Sequence, residues 1–184
     1  SIKCFEKAIE LNPNYISALY NLAILYSEIG KYEESAIYFK KVLKIDSNHI
    51  VALNNFGLLL KNIKKYNDAL KCFEKIIHID DNFTKAYNNI GTISLELGNV
   101  ETAIINYKKV IRLNPDNFIS YKNLLAAYEN TNQIENYKKI LKLVKKKFPK
   151  EKILELYEGI LLFRKKKFQD SINQLSKVNL KKEN

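Results

Sequence analysis

TKAYNNIGTISLELGNVETAIINYKKVIRLNPDN, residues 84–117, reads as two amphipathic helical stretches closed by Asn-Pro. Tyr87, Ile90 and Gly91 fall on one face of the first stretch, and Ala103 and Tyr107 on one face of the second. Pro115 lacks an amide hydrogen and pushes Asn114 away from helical backbone, so the second helix stops there. Neither helix is long enough to stand alone, so each needs a partner for its apolar side.

The same text recurs on either side at intervals of 34 residues. Residues 16–49, 50–83, 84–117 and 118–151 form four units in phase, and residues 152–184 form a fifth, weaker one. Residues 1–15, SIKCFEKAIELNPNY, match only the second half of a unit. In the first unit Leu19, Leu22, Ala23 and Tyr26 fall at i, i+3, i+4 and i+7, and Gly30 ends that helix. Tyr32, Ala36, Phe39, Val42 and Leu43 make the apolar face of its second helix. Ala18, Ala52, Ala86 and Ser120 share a phase, as do Gly57 and Gly91, as expected where helix axes come within about 8–10 Å. Phe5, Phe39, Phe73 and Tyr107 are expected to fill the spaces between them.

The fit weakens toward the C-terminus. Tyr137 stands where Ala69 and Ala103 stood, Lys147 where Ile45, Ile79 and Leu113 stood, and Glu158 where an apolar residue is expected. A change of pitch is therefore expected near residues 130–150. Phe168 is assigned by phase to the core and Phe148 to a junction between units.

A 34-residue helix pair with Leu–Gly–x–x–Tyr, then Ala–x–x–x–Phe, then Pro, resembles the tetratricopeptide repeat. Tyr87, Ile90, Gly91, Ala103, Tyr107 and Pro115 carry the resemblance in one unit, and Leu19, Leu22, Ala23, Tyr26, Ser35 and Phe39 in another. It implies an all-α fold: a right-handed superhelical solenoid of antiparallel helix pairs, with the first helices lining a concave groove. It also implies binding and assembly rather than catalysis.

Asn21, Asn55, Asn89 and Asn123 recur at the repeat period on four consecutive first helices. Each precedes a core position by one residue, ~100° around the helix, which points to the groove side. Asn costs about 0.6–0.7 kcal/mol relative to Ala in a helix interior, so four of them need compensation. A primary amide can bond both the N–H and the C=O of an extended peptide. The pattern is similar to the asparagine ladder in the repeat domain of O-linked N-acetylglucosamine transferases. The competing reading gives these amides structural bonds, in a chain with 22 Asn. Tyr20, Asn54, Asn88 and Lys122 flank the ladder, and Ile24 and Leu58 form an aliphatic strip one turn on. The resemblance also brings to mind a clamp for terminal carboxylates. Lys85 and Asn55 suit one, but Tyr20, Ile24 and Asn89 occupy its other required places.

Net charge is +11 over 184 residues, and residues 138–167 hold 12 Lys/Arg against 3 Asp/Glu. Such a segment attracts nucleic acid, acidic protein or anionic lipid. With only 2 Arg in the chain, a solvated face is the plainer reading, and nucleic acid and membrane are not expected partners. No apolar run reaches the ~18–20 residues of a membrane helix. Cys4 and Cys72, two repeats apart, are expected to be buried, reduced thiols, which fits a cytoplasmic protein whose N-terminus is missing here. His49 and His78 have no Cys or carboxylate at metal-ligand spacing, and the five glycines form no phosphate-binding motif. No cofactor, metal or catalytic residue is expected.

The leading expectation is a scaffold that binds an extended peptide in its groove. The alternatives are a targeting or regulatory arm of a larger glycosyl- or sulfotransferase, and a basic surface docking nucleic acid or membrane. Residues 1–11 form a second helix without its first. Ile2, Phe5 and Ile9 are thus expected to support end-to-end association of copies.

Overall fold

The computed structural model describes residues 2–180. Ser1 and residues 181–184, which open the half unit 1–15 and close the last unit 152–184, lie outside the described residues. The described chain is all helical. In order the helices are α1 (Ile2–Leu11), α2 (Ile16–Glu28), α3 (Tyr32–Ile45), α4 (Ile50–Asn62), α5 (Tyr66–Ile79), α6 (Thr84–Glu96), α7 (Val100–Leu113), α8 (Phe118–Asn130), α9 (Ile134–Lys147), α10 (Leu154–Arg164) and α11 (Phe168–Leu180). They divide into two compact units, Ser1–Leu97 and Gly98–Asn184.

Two turn devices set the helix ends, and both keep the repeat period. Gly30, Lys64, Gly98, Asn132 and Lys166 stand in the left-handed region, with φ of 79°, 61°, 78°, 53° and 58°. Each reverses the chain after a first helix. In four of these turns the following amide donates back across the end, as from Lys31 to Tyr26 (2.8 Å), Lys65 to Leu60 (2.8 Å), Gln133 to Tyr128 (2.8 Å) and Lys167 to Leu162 (3.0 Å). The second device follows the second helices α1, α3, α5 and α7. Asn12, Asp46, Asp80 and Asn114 accept the amide two residues on, at 3.1, 3.0, 3.0 and 3.2 Å. These Asx turns mimic a backbone turn and aim the chain into the next helix.

Glycine reaches positive φ without a Cβ penalty, whereas Lys64 does not. Lys64→Gly is therefore expected to raise stability by about 1 kcal/mol, net of the entropy that Gly adds to the unfolded chain. A urea midpoint unchanged or lowered by this variant would contradict that account of the turn.

In the unit Ser1–Leu97 each helix packs on its chain neighbours, and the first helices α2, α4 and α6 also touch one another. Its core joins Leu19, Ala23, Phe39, Val42, Ala52, Phe56, Phe73, Ile76, Ala86 and Ile93. Small residues meet large ones. A Cβ on Gly57 would stand 2.8 Å from Cζ of Phe73. At Ser35, where two units carry Ala, the hydroxyl donates to the Ala23 carbonyl at 2.7 Å, so the buried polar group is satisfied.

In the unit Gly98–Asn184, α8 packs on α7 and α9, and α10 on α9 and α11. Ser171 repeats the serine device, donating to the Gly159 carbonyl at 2.9 Å. Tyr137 is buried in spite of its size. Its hydroxyl donates to the Tyr157 carbonyl at 3.1 Å, and burial pushes its pKa up. Lys147 causes no defect, because Ile45 and Ile79 are themselves partly exposed at this register. Its ammonium pairs with Asp116 at 3.0 Å. Phe148 packs against Phe118 and Tyr121, with ring centroids 5.1 and 5.6 Å away, where the other junctions have an Asx turn.

Two expectations fail. Cys72 is buried, and burial raises its thiol pKa to about 11, but Cys4 is exposed. α1 packs on α2, and none of its described residues is fully buried. Phe168 is 53% exposed rather than in the core. It opens α11 and meets Phe163 edge-on at 5.5 Å. Tyr32, which opens α3 at the same register, is exposed too.

Candidate functional site

The repeat phase puts an asparagine at the same place on four first helices, α2, α4, α6 and α8. In the unit Ser1–Leu97 the residues at and around it are Tyr20, Asn21 and Ile24 on α2, Asn54, Asn55 and Leu58 on α4, and Asn88 and Asn89 on α6. Contacts from α2 to α4 and from α4 to α6 bring the three sets side by side. Lys122 and Asn123 hold the register on α8 in the other unit, where both are half-buried.

The geometry is built outward from the core. Phe39 meets the edge of the Tyr20 ring at 6.2 Å, and His49 stacks on its face at 6.0 Å. His49 is held in turn by α4, since its Nδ1 accepts the Ala52 amide at 3.2 Å and caps that helix. The Tyr20 ring is thus fixed from two sides. Its hydroxyl accepts a hydrogen bond from Nδ2 of Asn55, thirty-five positions along the chain. Asn54 donates to Oδ1 of Asn55 at 3.3 Å. One repeat further, Lys61 donates to Oδ1 of Asn89 at 3.4 Å. Asn21 is exposed and donates to its own helix at the Ser17 carbonyl, 2.8 Å away.

These bonds bear on both readings of the asparagines. Asn55 and Asn89 are tied to the preceding first helix, as a structural role requires. Neither amide is used up. Among the described residues, Asn89 engages only its oxygen and Asn55 one of its two Nδ2 hydrogens. Both are half-buried, standing beside the core and not under it. Oδ1 of Asn54 is buried with no partner among the described residues. Asn88 is half-buried, and its backbone carbonyl accepts from the Thr92 hydroxyl at 2.9 Å.

Ile24 and Leu58 are less open than expected. Both are half-buried and pack against the core of their unit, as does Tyr20. Packing against that core covers part of each, which the phase of a single helix does not reveal. His49 is the participant that sequence reasoning left in a junction. A signal for it existed: Asn117, two periods on, also precedes a first helix and caps it, accepting the Ser120 amide at 3.1 Å.

The row holds amides, a phenol, an imidazole and the Lys61 ammonium, a set suited to hydrogen bonding with neutral polar groups. Among the described residues no group of three or more His, Cys, Asp or Glu is placed to hold a metal ion. Among them too, no helix is long and apolar enough to cross a membrane.

Family models described as the tetratricopeptide repeat match residues 4–36, 50–83 and 84–117, together more than half of the chain. No curated protein matches the sequence. Solved structures do share the fold. The crystal structure of MamA protein aligns with a TM-score of 0.79 at 20% identity, covering 91% of this chain and 92% of that one. YrrB, described as a TPR protein with an unusual peptide-binding site, aligns at 0.75 and 20% identity, covering 97% and 92%. A tetratricopeptide repeat protein from Parabacteroides merdae aligns at 0.81 and 18% identity, covering 97% and 71%.

Proposed function

The chain belongs to the tetratricopeptide repeat family, and from that premise we propose that it is a non-catalytic scaffold. It holds an extended segment of a partner protein against its first helices. The observation that carries this reading is the row of amides, exposed on α2 and half-buried on α4 and α6, with bonding capacity to spare beside a fixed Tyr20 ring. An extended peptide offers alternating N–H and C=O groups, and a primary amide matches both. Ile24, Leu58 and the Tyr20 ring supply apolar surface for some of its side chains. Asn123 and Lys122 offer the same chemistry from α8. That YrrB carries a peptide-binding site on this fold supports the choice of ligand class.

The test is a peptide-array selection with the intact chain. The affinity of a selected peptide is then measured for the wild type and for a variant with Ala at Asn21, Asn55, Asn89 and Asn123. Loss of binding with the fold retained is the expected result. Equal affinity would refute capture by the amides.

A further inference from the structure

The basic segment has a local geometry that its charge alone does not convey. Lys138, Lys142 and Lys145 project from one face of α9, at i, i+4 and i+7. They border a groove of about 440 Å³ between α9, α10 and α11, whose apolar lining is Leu141, Leu161 and Leu162. Glu158 and Gln174 complete it. Glu158 is spoken for: it pairs with Lys145 and accepts from Nε2 of Gln174 at 3.1 Å. Among the described residues, Lys138 and Lys142 have no carboxylate partner.

The other unit holds the same groove three repeats earlier, between α3, α4 and α5, with a volume of about 370 Å³. There Ala36 replaces Lys138, Lys40 matches Lys142, Leu43 replaces Lys145, and Phe56 replaces Glu158. That copy also has acidic residues on its rim, Glu33 and Asp68, the latter paired with Lys71 at 3.2 Å. So the groove on α3 sets three lysines, Lys40, Lys65 and Lys71, against two carboxylates, whereas the groove on α9 sets three against one and gathers them on a single helix face.

We infer that the groove between α9, α10 and α11 is a second docking site, and that it takes an acidic segment of a protein with aliphatic side chains between its carboxylates. Carboxylates meet Lys138 and Lys142, and an aliphatic side chain rests on Leu141, Leu161 and Leu162. Charge complementarity selects the acidic partner. The leucine lining selects a peptide over nucleic acid, since no aromatic ring lines this groove to stack a base and no Arg reads one. The volume suits a few side chains and falls in the range of small-ligand clefts, about 300–1,000 Å³. This site is independent of the first-helix amides.

The probe is a fluorescein-labelled peptide of leucines flanked by glutamates, followed by anisotropy with the full chain. Lys138→Glu with Lys142→Glu is expected to weaken binding about tenfold or more. Both residues are exposed, so folding is retained. Glu158→Leu is expected to tighten binding several-fold, because it releases Lys145 and deepens the apolar lining; a gain cannot come from misfolding. Lys40→Glu, in the other copy of the groove, is expected to change nothing. Unchanged affinity in the double lysine variant, equal weakening by Lys40→Glu, or weaker binding by Glu158→Leu would each overturn the assignment. So would displacement of the peptide by an oligonucleotide of equal charge at a lower concentration.

Discussion

Phe73→Ala is expected to lower the unfolding free energy by about 3–5 kcal/mol, a large share of what a domain of this size has. The ring is fully buried, and its tip lies against Gly57, where any added Cβ would stand within 2.8 Å. Removing it strips apolar contacts from α4 and α5 at once and leaves a cavity that rigid helix pairs fill only in part. Stability in stacked repeats passes between neighbours, so the loss is not confined to one turn. A second substitution ties the effect to this contact. Gly57→Ala alone forces the Phe73 ring aside at a cost of about 1–3 kcal/mol, against about 1 kcal/mol gained in helix propensity. In the Phe73→Ala background the methyl enters vacated space and only the gain remains. Its sign therefore reverses, from neutral or destabilising to stabilising. Urea denaturation of the four proteins reads both effects. A loss below about 1 kcal/mol for Phe73→Ala, or the same sign for Gly57→Ala in both backgrounds, would contradict the packing described.

Replacing Asn21, Asn55, Asn89 and Asn123 by Ala is expected to weaken a bound peptide about 30-fold or more. Each amide that bonds a peptide backbone contributes about 0.5–1.5 kcal/mol net, so four give roughly 2–6 kcal/mol. Stability moves the other way or hardly at all. The variant loses four bonds, from Asn21 to the Ser17 carbonyl, from Asn54 to Asn55, from Asn55 to Tyr20 and from Lys61 to Asn89; the first is exposed, and the second and last are long at 3.3 and 3.4 Å. Against that, each Asn→Ala gains about 0.6 kcal/mol of helix propensity. A purely structural role predicts the opposite pattern: binding kept and stability lost. Denaturation and titration of the same preparation separate the two.

The fold was legible because a 34-residue period repeats the same physical demand five times. Ala18, Ala52, Ala86 and Ser120 were read as close-contact positions from their shared phase, and all four are buried. The helices α2, α4, α6 and α8 begin at Ile16, Ile50, Thr84 and Phe118, one period apart. What the phase did not carry was contact with a neighbour. The phase of Asn55 points it to the groove side, but its tie to Tyr20 depends on how far two side chains reach between helices. The same holds for Ile24 and Leu58, which are half-buried against the core of their unit. Cys4 and Cys72 share a motif and a phase yet differ in exposure, because α5 packs on both α4 and α6 whereas α1 packs on α2 alone. Lys64 and Lys166 adopt positive φ against their own preference, and only their alignment with Gly30 and Gly98 betrays it.

Side-chain amide resonances test the central claim most directly. With uniformly ¹⁵N-labelled protein, titration of a selected peptide is expected to shift the Nδ2 signals of Asn55 and Asn89 and slow their exchange with water, as new acceptors engage them. Shifts confined to α3, α5 and the other second helices, with those Nδ2 signals unmoved, would contradict capture on the first helices.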